Sequence, residues 1–133
     1  MKFLCDEMLK NLGQWLRVAG YDVLILPDGT ADRQLVERAR IDGRLLITRD
    51  RKINEFRNAG EFVIFLDCNE LDDCVSDLKR QLDIDWLHAP FSRCKICNTE
   101  LIDADRAAIG KVPPEARRSL TQISYCPACK QLF

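Results

Sequence analysis

The sequence lacks long apolar runs, a secretion signal, internal repeats and low-complexity segments. No apolar run approaches the length that a membrane span requires. An acidic residue already stands at position 6, which is too early for a signal peptide. The missing repeats exclude a repeat architecture. With 133 residues, of which 47% are hydrophobic, the chain is predicted to be a soluble cytoplasmic protein with one compact domain, or one domain and a small appendage.

Seven cysteines are present, and without a secretion signal they favour metal binding over a disulfide scaffold. Four of them form two Cys-x-x-Cys pairs that 28 residues separate: Cys94, Cys97, Cys126 and Cys129. Two such pairs supply the four thiolates of a tetrahedral site, so the sequence predicts one structural zinc ion there. The other three stand beside apolar residues and are predicted to be small residues of the core: Cys5, Cys68 and Cys74.

Apolar runs and helical patterns alternate four times along the first part of the chain. Strands are predicted at residues 2–5, 22–26, 45–48 and 62–66, and helices at residues 8–19, 32–41, 51–58 and 70–82. Because the strand runs are continuously apolar, they indicate a parallel sheet flanked by helices. The pattern predicts an α/β domain over residues 1–82 and a connector over residues 83–91. Residues 92–133 are predicted to form a zinc ribbon, which is too short to fold on apolar burial alone.

The first predicted helix carries apolar residues at the spacing of one helix face, and Met8 and Trp15 belong to that series. Both are therefore expected to face the core. Gly13 lies inside the same helix, where glycine costs about 1 kcal/mol relative to alanine. We expect this glycine to mark a place where the helix packs closely against its neighbour.

Carboxylates follow the end of every predicted strand. They are Asp6 and Glu7 after the first, Asp28 and Asp32 after the second, Asp50 after the third and Asp67 after the fourth. In a parallel sheet these ends share one edge, where open α/β folds place their sites. Each acid taken singly is also a favoured helix N-cap. Taken together the carboxylates repel one another, and Mg²⁺ or Mn²⁺ relieves such repulsion and supports phosphodiester cleavage.

Basic side chains are interleaved with these acids, and they either contact a phosphate backbone or face solvent: Arg17, Arg33, Arg49, Arg51 and Lys52. A second basic group lies between the cysteine pairs, at Lys111, Arg117 and Arg118. Residues 1–91 hold 13 basic and 17 acidic residues, whereas residues 92–133 hold 7 and 4. This asymmetry is consistent with a polyanionic partner.

Several segments together resemble the Mut7-C family, in which a PIN-like nuclease domain precedes a zinc ribbon. They are residues 3–9, 15–22 and 43–50, followed by the two cysteine pairs. The resemblance covers essentially the whole chain. It implies a PIN-like fold and a metal-dependent ribonuclease, with Asp6, Asp32 and Asp50 as the acidic residues of the site. It also implies Asp67 as a fourth acid and Arg17 as a basic residue near them.

The favoured function is a Mg²⁺- or Mn²⁺-dependent endoribonuclease that hydrolyses phosphodiester bonds. In that interpretation Asp6, Asp32 and Asp50 hold the ion. Asp67 assists them, and the predicted substrate contacts are Arg17, Arg49 and Arg51. The alternative is a non-catalytic adaptor that binds nucleic acid or a protein through the zinc ribbon, with the acids as helix caps. A receiver domain also places acids at strand ends, but it needs a fifth strand followed by a lysine, which this sequence does not provide.

Overall fold

The computed structural model describes residues 1–27, 29–56, 59–103 and 124–132. Four strands form the main sheet: β1 Lys2–Asp6, β2 Asp22–Leu26, β3 Leu45–Thr48 and β4 Val63–Phe65. Within the described ranges, three α-helices accompany them: α1 Lys10–Val18, α2 Asp32–Asp42 and α3 Leu71–Gln81. Short 3₁₀ helices cover Glu7–Leu9, Arg51–Glu55 and Ala59–Glu61. A second, small sheet contains β5 Ile102–Asp103, β6 Ser124–Cys126 and β7 Gln131–Leu132.

The main sheet is parallel throughout and has the order β2-β1-β3-β4. Its register aligns Phe3 with Val23 on one side and with Leu45 on the other. Successive side chains of a strand point to opposite faces. Phe3 and Cys5 therefore enter one core, while Leu4 enters the other. The predicted α/β fold with a four-stranded parallel sheet is confirmed.

Helices cover both faces of this sheet. Leu16 of α1 and Leu78 of α3 pack into the core that contains Phe3. Leu35 of α2 packs into the core that contains Leu4. Full burial of one such side chain stabilises the fold by roughly 1.5–3 kcal/mol. Because both faces are covered in this way, the strands need apolar residues at every position rather than at alternate positions.

The first helix differs from its prediction. It starts as the 3₁₀ turn Glu7–Leu9, and the side chains of Met8 and Trp15 are 69% and 54% exposed. The prediction that these two residues face the core was wrong. A Cβ atom on Gly13 would lie 2.9 Å from Cδ1 of Ile25, so α1 is rotated to bring its glycine against β2. The expected close packing at Gly13 is confirmed, and it turns Trp15 to the margin of the core.

The cysteines outside the two pairs are buried, as predicted, but two of them are bonded to each other. Cys5 is a free thiol whose complete burial raises its pKa to about 12. Cys68 and Cys74 form a disulfide, which was not predicted. The chain turns back between β4 and α3, and this reversal brings two cysteines that are six residues apart into contact.

The predicted connector, residues 83–91, packs against α1. Ile84 is only 3% exposed and belongs to the same core as Phe3. The N–H of Ala89 donates to the carbonyl of Ala19 at 2.8 Å, and that of Phe91 donates to Val18 at the same distance. The segment is therefore held to the end of α1 by both apolar burial and main-chain hydrogen bonds.

Some predicted features lie outside the described residues: Asp28, the end of the third predicted helix at residues 57–58, and the basic group Lys111, Arg117 and Arg118. The described part of that third helix is the 3₁₀ helix Arg51–Glu55. Among the residues that the structure describes, no helix is both long and apolar enough to cross a membrane.

Gly20 is the position at which the connector packs most closely on the end of α1. Its φ angle is +101°, and a Cβ atom there would lie 2.6 Å from the Cβ of Ala89. We expect Gly20→Ala to lower the free energy of unfolding by more than about 2 kcal/mol, because backbone strain and steric overlap add. The control is Gly43→Ala, where φ is +66° and a Cβ would meet no atom within 4 Å. Its expected cost is about 1 kcal/mol, and equal losses for both variants in urea unfolding would contradict this packing.

Candidate functional site

A cavity of about 640 Å³, here called the acidic cavity, opens beyond the carboxyl ends of β1, β2 and β3. Its walls include three of the predicted acids, Asp6, Asp32 and Asp50, together with Arg49. Because β1 lies between β2 and β3, the residues that come after these three strands are neighbours. Met8 also lines the cavity, so its exposed side chain is available to whatever enters.

Asp6 is the last residue of β1 and lies in register with Leu26 of β2. Its side chain is half-buried, and its Oδ1 atom is shielded from solvent. The residue precedes the 3₁₀ turn Glu7–Leu9, yet its side chain makes no capping hydrogen bond to that turn. Helix capping therefore does not account for an aspartate at this position.

Asp50 lies close enough to Asp32 to affect the ionisation of Asp32. Desolvation raises the pKa of Asp32, and Asp50 raises it further through charge repulsion and a hydrogen bond, while Lys52 acts in the opposite direction. A hydrogen bond between two carboxyl groups needs a proton on one of them, so the pair carries two full negative charges only at a cost. A cation bound in the acidic cavity would remove that cost.

Asp50 also has the capping role that the alternative interpretation predicts. One of its carboxylate oxygens accepts a hydrogen bond from the N–H of Lys52 at 2.9 Å, and its own N–H donates to Oγ1 of Thr48 at 3.0 Å. Asp32, by contrast, is the first residue of α2, whose N-cap is Ala31. Capping therefore accounts for Asp50 but not for Asp32, and the hydrogen bond from Lys52 orients the Asp50 carboxylate.

The three acids share one cavity without forming a tight ligand cluster. Among the described residues, only the four cysteines form a set of three or more possible metal ligands whose donor atoms all lie within 4.8 Å of one another. The carboxylates of Asp6, Asp32 and Asp50 are therefore more widely spaced than the cysteine sulfurs. Mg²⁺ keeps several waters and usually takes only one or two carboxylates directly, so such spacing suits a hydrated ion.

Asp67 and two predicted arginine contacts have different surroundings. Asp67 is exposed and lines a separate hollow, and its N–H donates to the carboxylate of Asp77 at 3.0 Å. Arg49 lines the acidic cavity. The guanidinium of Arg51 lies over the ring of Phe65, 5.1 Å from its centre. Of these three residues, only Arg49 lies beside the three acids of the cavity.

The cysteine cluster has the dimensions of a zinc site. The Sγ atoms of Cys94 and Cys129 are 3.9 Å apart, and those of Cys97 and Cys126 are 3.5 Å apart. Four sulfurs about 2.3 Å from a tetrahedral zinc ion would be separated by about 3.8 Å. The four cysteines predicted from sequence thus come together as a cluster that can hold a metal ion such as zinc.

Both cysteine pairs adopt the same tight turn. The N–H of Asn98 donates to the carbonyl of Cys94 at 2.8 Å, and the N–H of Lys130 donates to that of Cys126 at 2.7 Å. Asn98 and Lys130 both have left-handed backbone conformations, with φ angles of +70° and +58°. These residues let the chain turn back after each pair.

The close approach of the four sulfurs shifts the pKa values of two thiols in opposite directions. Desolvation raises the pKa of Cys97, but hydrogen bonds from Thr99 and from neighbouring cysteines outweigh it and lower the pKa to about 6. The pKa of Cys129 is raised to about 12, first of all by its hydrogen bond with Cys97. One thiolate thus holds a proton on its neighbour, and a bound metal ion displaces such protons.

Arg17, a predicted substrate contact, is only 5% exposed. Its Nε donates to the carbonyl of Val23 at 2.9 Å, and one terminal nitrogen donates to the carbonyls of Lys95 and Ile96 at 2.9 and 3.0 Å. The structure gives Arg17 a bracing role between β2 and the first cysteine turn. Sequence reasoning missed Asn98, whose side chain also reaches β2. The only sign of it in the sequence is a polar residue directly after Cys-x-x-Cys.

The Asp32–Asp50 pair gives a pH-dependent prediction. Asp50→Asn keeps a side chain that can cap but removes a charge, so it should lower the pKa of Asp32 toward the ordinary aspartate value. A raised folded-state pKa means that the metal-free protein loses stability as pH rises from the unfolded to the folded pKa of Asp32, and the variant should lessen that loss.

NMR titration of the Asp32 carboxyl carbon without divalent ions measures this pKa directly. Asp83→Asn removes an exposed carboxylate of the connector and serves as the control. An Asp32 pKa that is the same in the wild type and in Asp50→Asn would contradict the pairing.

Comparison with known proteins agrees with the resemblance seen in the sequence. The Mut7-C RNAse domain family matches residues 1–133. A human protein named exonuclease mut-7 homolog is 30% identical over 104 residues, which cover 74% of this chain and 12% of that relative. The chain thus spans a small part of the curated relative's length, and no solved structure matches it significantly. On the match over its whole length, this chain belongs to the Mut7-C RNAse domain family.

Proposed function

We propose that the protein is a Mg²⁺- or Mn²⁺-dependent endoribonuclease whose active site is the acidic cavity. The observation that carries the proposal is that Asp6, Asp32 and Asp50 line one cavity at the carboxyl ends of three parallel strands. Membership of an RNAse domain family supports a nuclease and favours RNA as the substrate. The raised pKa of Asp32 supports a site in which neighbouring carboxylates repel each other and a bound cation would reduce that repulsion.

The residues of the cavity fit a hard divalent ion. All three acids offer oxygen ligands, which Mg²⁺ and Mn²⁺ prefer over sulfur. Asp32 and Asp50 interact directly, and their mutual repulsion would be relieved by a positive charge between them. Capping leaves Asp6 and Asp32 unexplained, as their helix contacts show. When bound, such an ion lowers the pKa of a coordinated water and neutralises charge that develops on a phosphate.

The chain's own residues would orient and bind the substrate. The Asp50 carboxylate is oriented by the N–H of Lys52, while the Asp50 main chain is held by its own N–H, which donates to Oγ1 of Thr48. Arg49 lies on the same cavity wall, where its guanidinium can pair with a phosphate of the RNA backbone. The exposed Met8 offers an apolar contact for a sugar or base. Asp67 and Arg51 stand outside this arrangement, so the proposal assigns them no role in the ion site.

The chain would then have two functional parts. Residues 1–82, with the connector 83–91, supply the acidic cavity. Residues 92–133 would be the zinc ribbon, whose four cysteines would hold a structural zinc ion. Arg17 of α1 would link the first cysteine turn of the ribbon to the sheet.

A second candidate function is a non-catalytic adaptor that binds nucleic acid or a protein through the ribbon. The observation that favours it is a pair of exposed apolar side chains near the cysteine cluster. Ile96 lies between Cys94 and Cys97, Ile102 pairs with Tyr125 beside Cys126, and the two are 48% and 53% exposed. Exposed apolar side chains can form part of a contact surface. An adaptor would bind its partner equally well with or without Mn²⁺.

Asp50→Asn separates the two functions. Because asparagine keeps the cap and the shape, the fold should survive. Loss of one charge from the ion site should lower the rate of Mn²⁺-dependent RNA cleavage by roughly 100-fold or more. The assay uses labelled single-stranded and structured RNA, with and without Mn²⁺, and compares the variant with the wild type.

Asp83→Asn is the matched control, since it makes the same chemical change at an exposed position in the connector. Its cleavage rate should equal that of the wild type. Cleavage by Asp50→Asn at the wild-type rate would remove Asp50 from the mechanism. Wild-type protein that binds RNA but never cleaves it would favour the adaptor.

A further inference from the structure

Strand β2 is an outer strand of the main sheet, and its open side is closed by side chains rather than by another strand. Outer strands leave main-chain N–H and C=O groups without a neighbouring strand. The N–H of Val23 donates to Oδ1 of Asn98 at 3.0 Å, and its carbonyl accepts from Nε of Arg17 at 2.9 Å. Val23 is fully buried, so both of its main-chain groups need these partners.

The same two side chains are tied to the first cysteine turn. Arg17 uses a terminal nitrogen to hold the carbonyls of Lys95 and Ile96, which are the two residues between Cys94 and Cys97. Its guanidinium therefore donates hydrogen bonds to β2 and to the first cysteine turn at the same time.

Asn98 is placed by the closure of that turn. Its own N–H donates to the carbonyl of Cys94, its φ angle is +70°, and its amide side chain reaches β2. There the amide nitrogen donates to Asp22 at 2.7 Å, while Oδ1 accepts from Val23. Asp22 also receives a hydrogen bond from Arg44 at 2.8 Å, so its carboxylate keeps a partner if Asn98 is changed.

The second cysteine turn has the same backbone without this contact to the sheet. Lys130 occupies the position equivalent to Asn98, with a φ angle of +58° and a hydrogen bond to Cys126. Its side chain is exposed. The two turns thus differ in the residue directly after the second cysteine, and only the first turn presents an amide to β2 within the part of the chain that the structure describes.

We propose that metal loading of the four cysteines clamps the outer edge of β2, with Asn98 and Arg17 as the positioning residues that transmit the effect. A bound ion fixes both cysteines of the first turn, and this holds Lys95, Ile96 and Asn98 where they meet β2. Without the ion the turn is free to open, and the N–H of Val23 then loses Asn98. The Arg17 side chain, which donates to the Val23 carbonyl, loses the two carbonyls of the turn that hold its terminal nitrogen. Since Pro27, the residue after β2, lines the acidic cavity, the clamp also steadies one wall of that cavity.

The coupling must act in both directions. If a bound metal strengthens the contact with β2, then the contact with β2 strengthens metal binding by the same factor. Removing the Asn98 side chain deletes two hydrogen bonds to β2. Each contributes modestly in net terms, so zinc should bind roughly tenfold more weakly to the variant.

Asn98→Gly is the test variant, because glycine adopts the left-handed conformation freely and the substitution removes the side chain that bonds to β2. Lys130→Gly makes the equivalent change in the second turn. The rate of hydrogen exchange at the Val23 amide, with zinc bound and after chelation, measures how firmly Asn98 holds this N–H. A competing chelator reports zinc affinity.

In the wild type, chelation should speed exchange at Val23 by about tenfold or more. In Asn98→Gly exchange should already be fast with zinc bound, and zinc should bind about tenfold more weakly. Lys130→Gly should match the wild type in both measurements. Exchange at Val23 that chelation does not change in the wild type would overturn the proposal, as would equal effects of the two glycine variants. Neither measurement uses RNA or Mn²⁺, so the result does not depend on nuclease activity.

Discussion

The parallel pairing of β1 with β2 and β3 is the constraint on which the acidic cavity depends. It places the carboxyl ends of three strands side by side, so that Asp6, Asp32 and Asp50 line one cavity although they are far apart in sequence. A shift of one residue in this register would exchange the faces of Phe3 and Leu4 and place each side chain in the core that packs around the other. Apolar packing on both faces of the sheet therefore also fixes the position of the acids.

Much of this arrangement can be predicted from local sequence. The continuous apolar runs predict β2 and β3 to the residue, because a strand buried on both faces admits few polar side chains. The cysteine spacing predicts the cluster, because two Cys-x-x-Cys turns suit a single tetrahedral site. The carboxylates after each strand predict a shared edge once the sheet is known to be parallel. These inferences need only local sequence patterns and the general rule that the carboxyl ends of parallel strands lie at one edge of a sheet.

Other features depend on contacts between distant segments, and these were missed. The helical period places Trp15 on the apolar face, but close packing at Gly13 rotates α1 and exposes it. Arg17 has the residue type expected of a phosphate contact, yet carbonyls from β2 and the first cysteine turn surround it. Asp67 comes after a strand as the other acids do, but β4 lies at the far side of the sheet from β2. In each case the residue type suits the predicted role, but the surrounding tertiary structure gives the residue a different position.

One small chain is thus proposed to carry two metal sites of opposite chemistry, a sulfur site that braces β2 and an oxygen site that performs hydrolysis. Anomalous X-ray diffraction from zinc-loaded crystals soaked in Mn²⁺, recorded on both sides of the manganese absorption edge, tests the oxygen site most directly. We expect a manganese peak in the acidic cavity, with carboxylate oxygens of Asp6, Asp32 or Asp50 as direct or water-bridged ligands. A cavity without manganese, in crystals whose cysteines hold zinc, would contradict the proposed hydrolytic site.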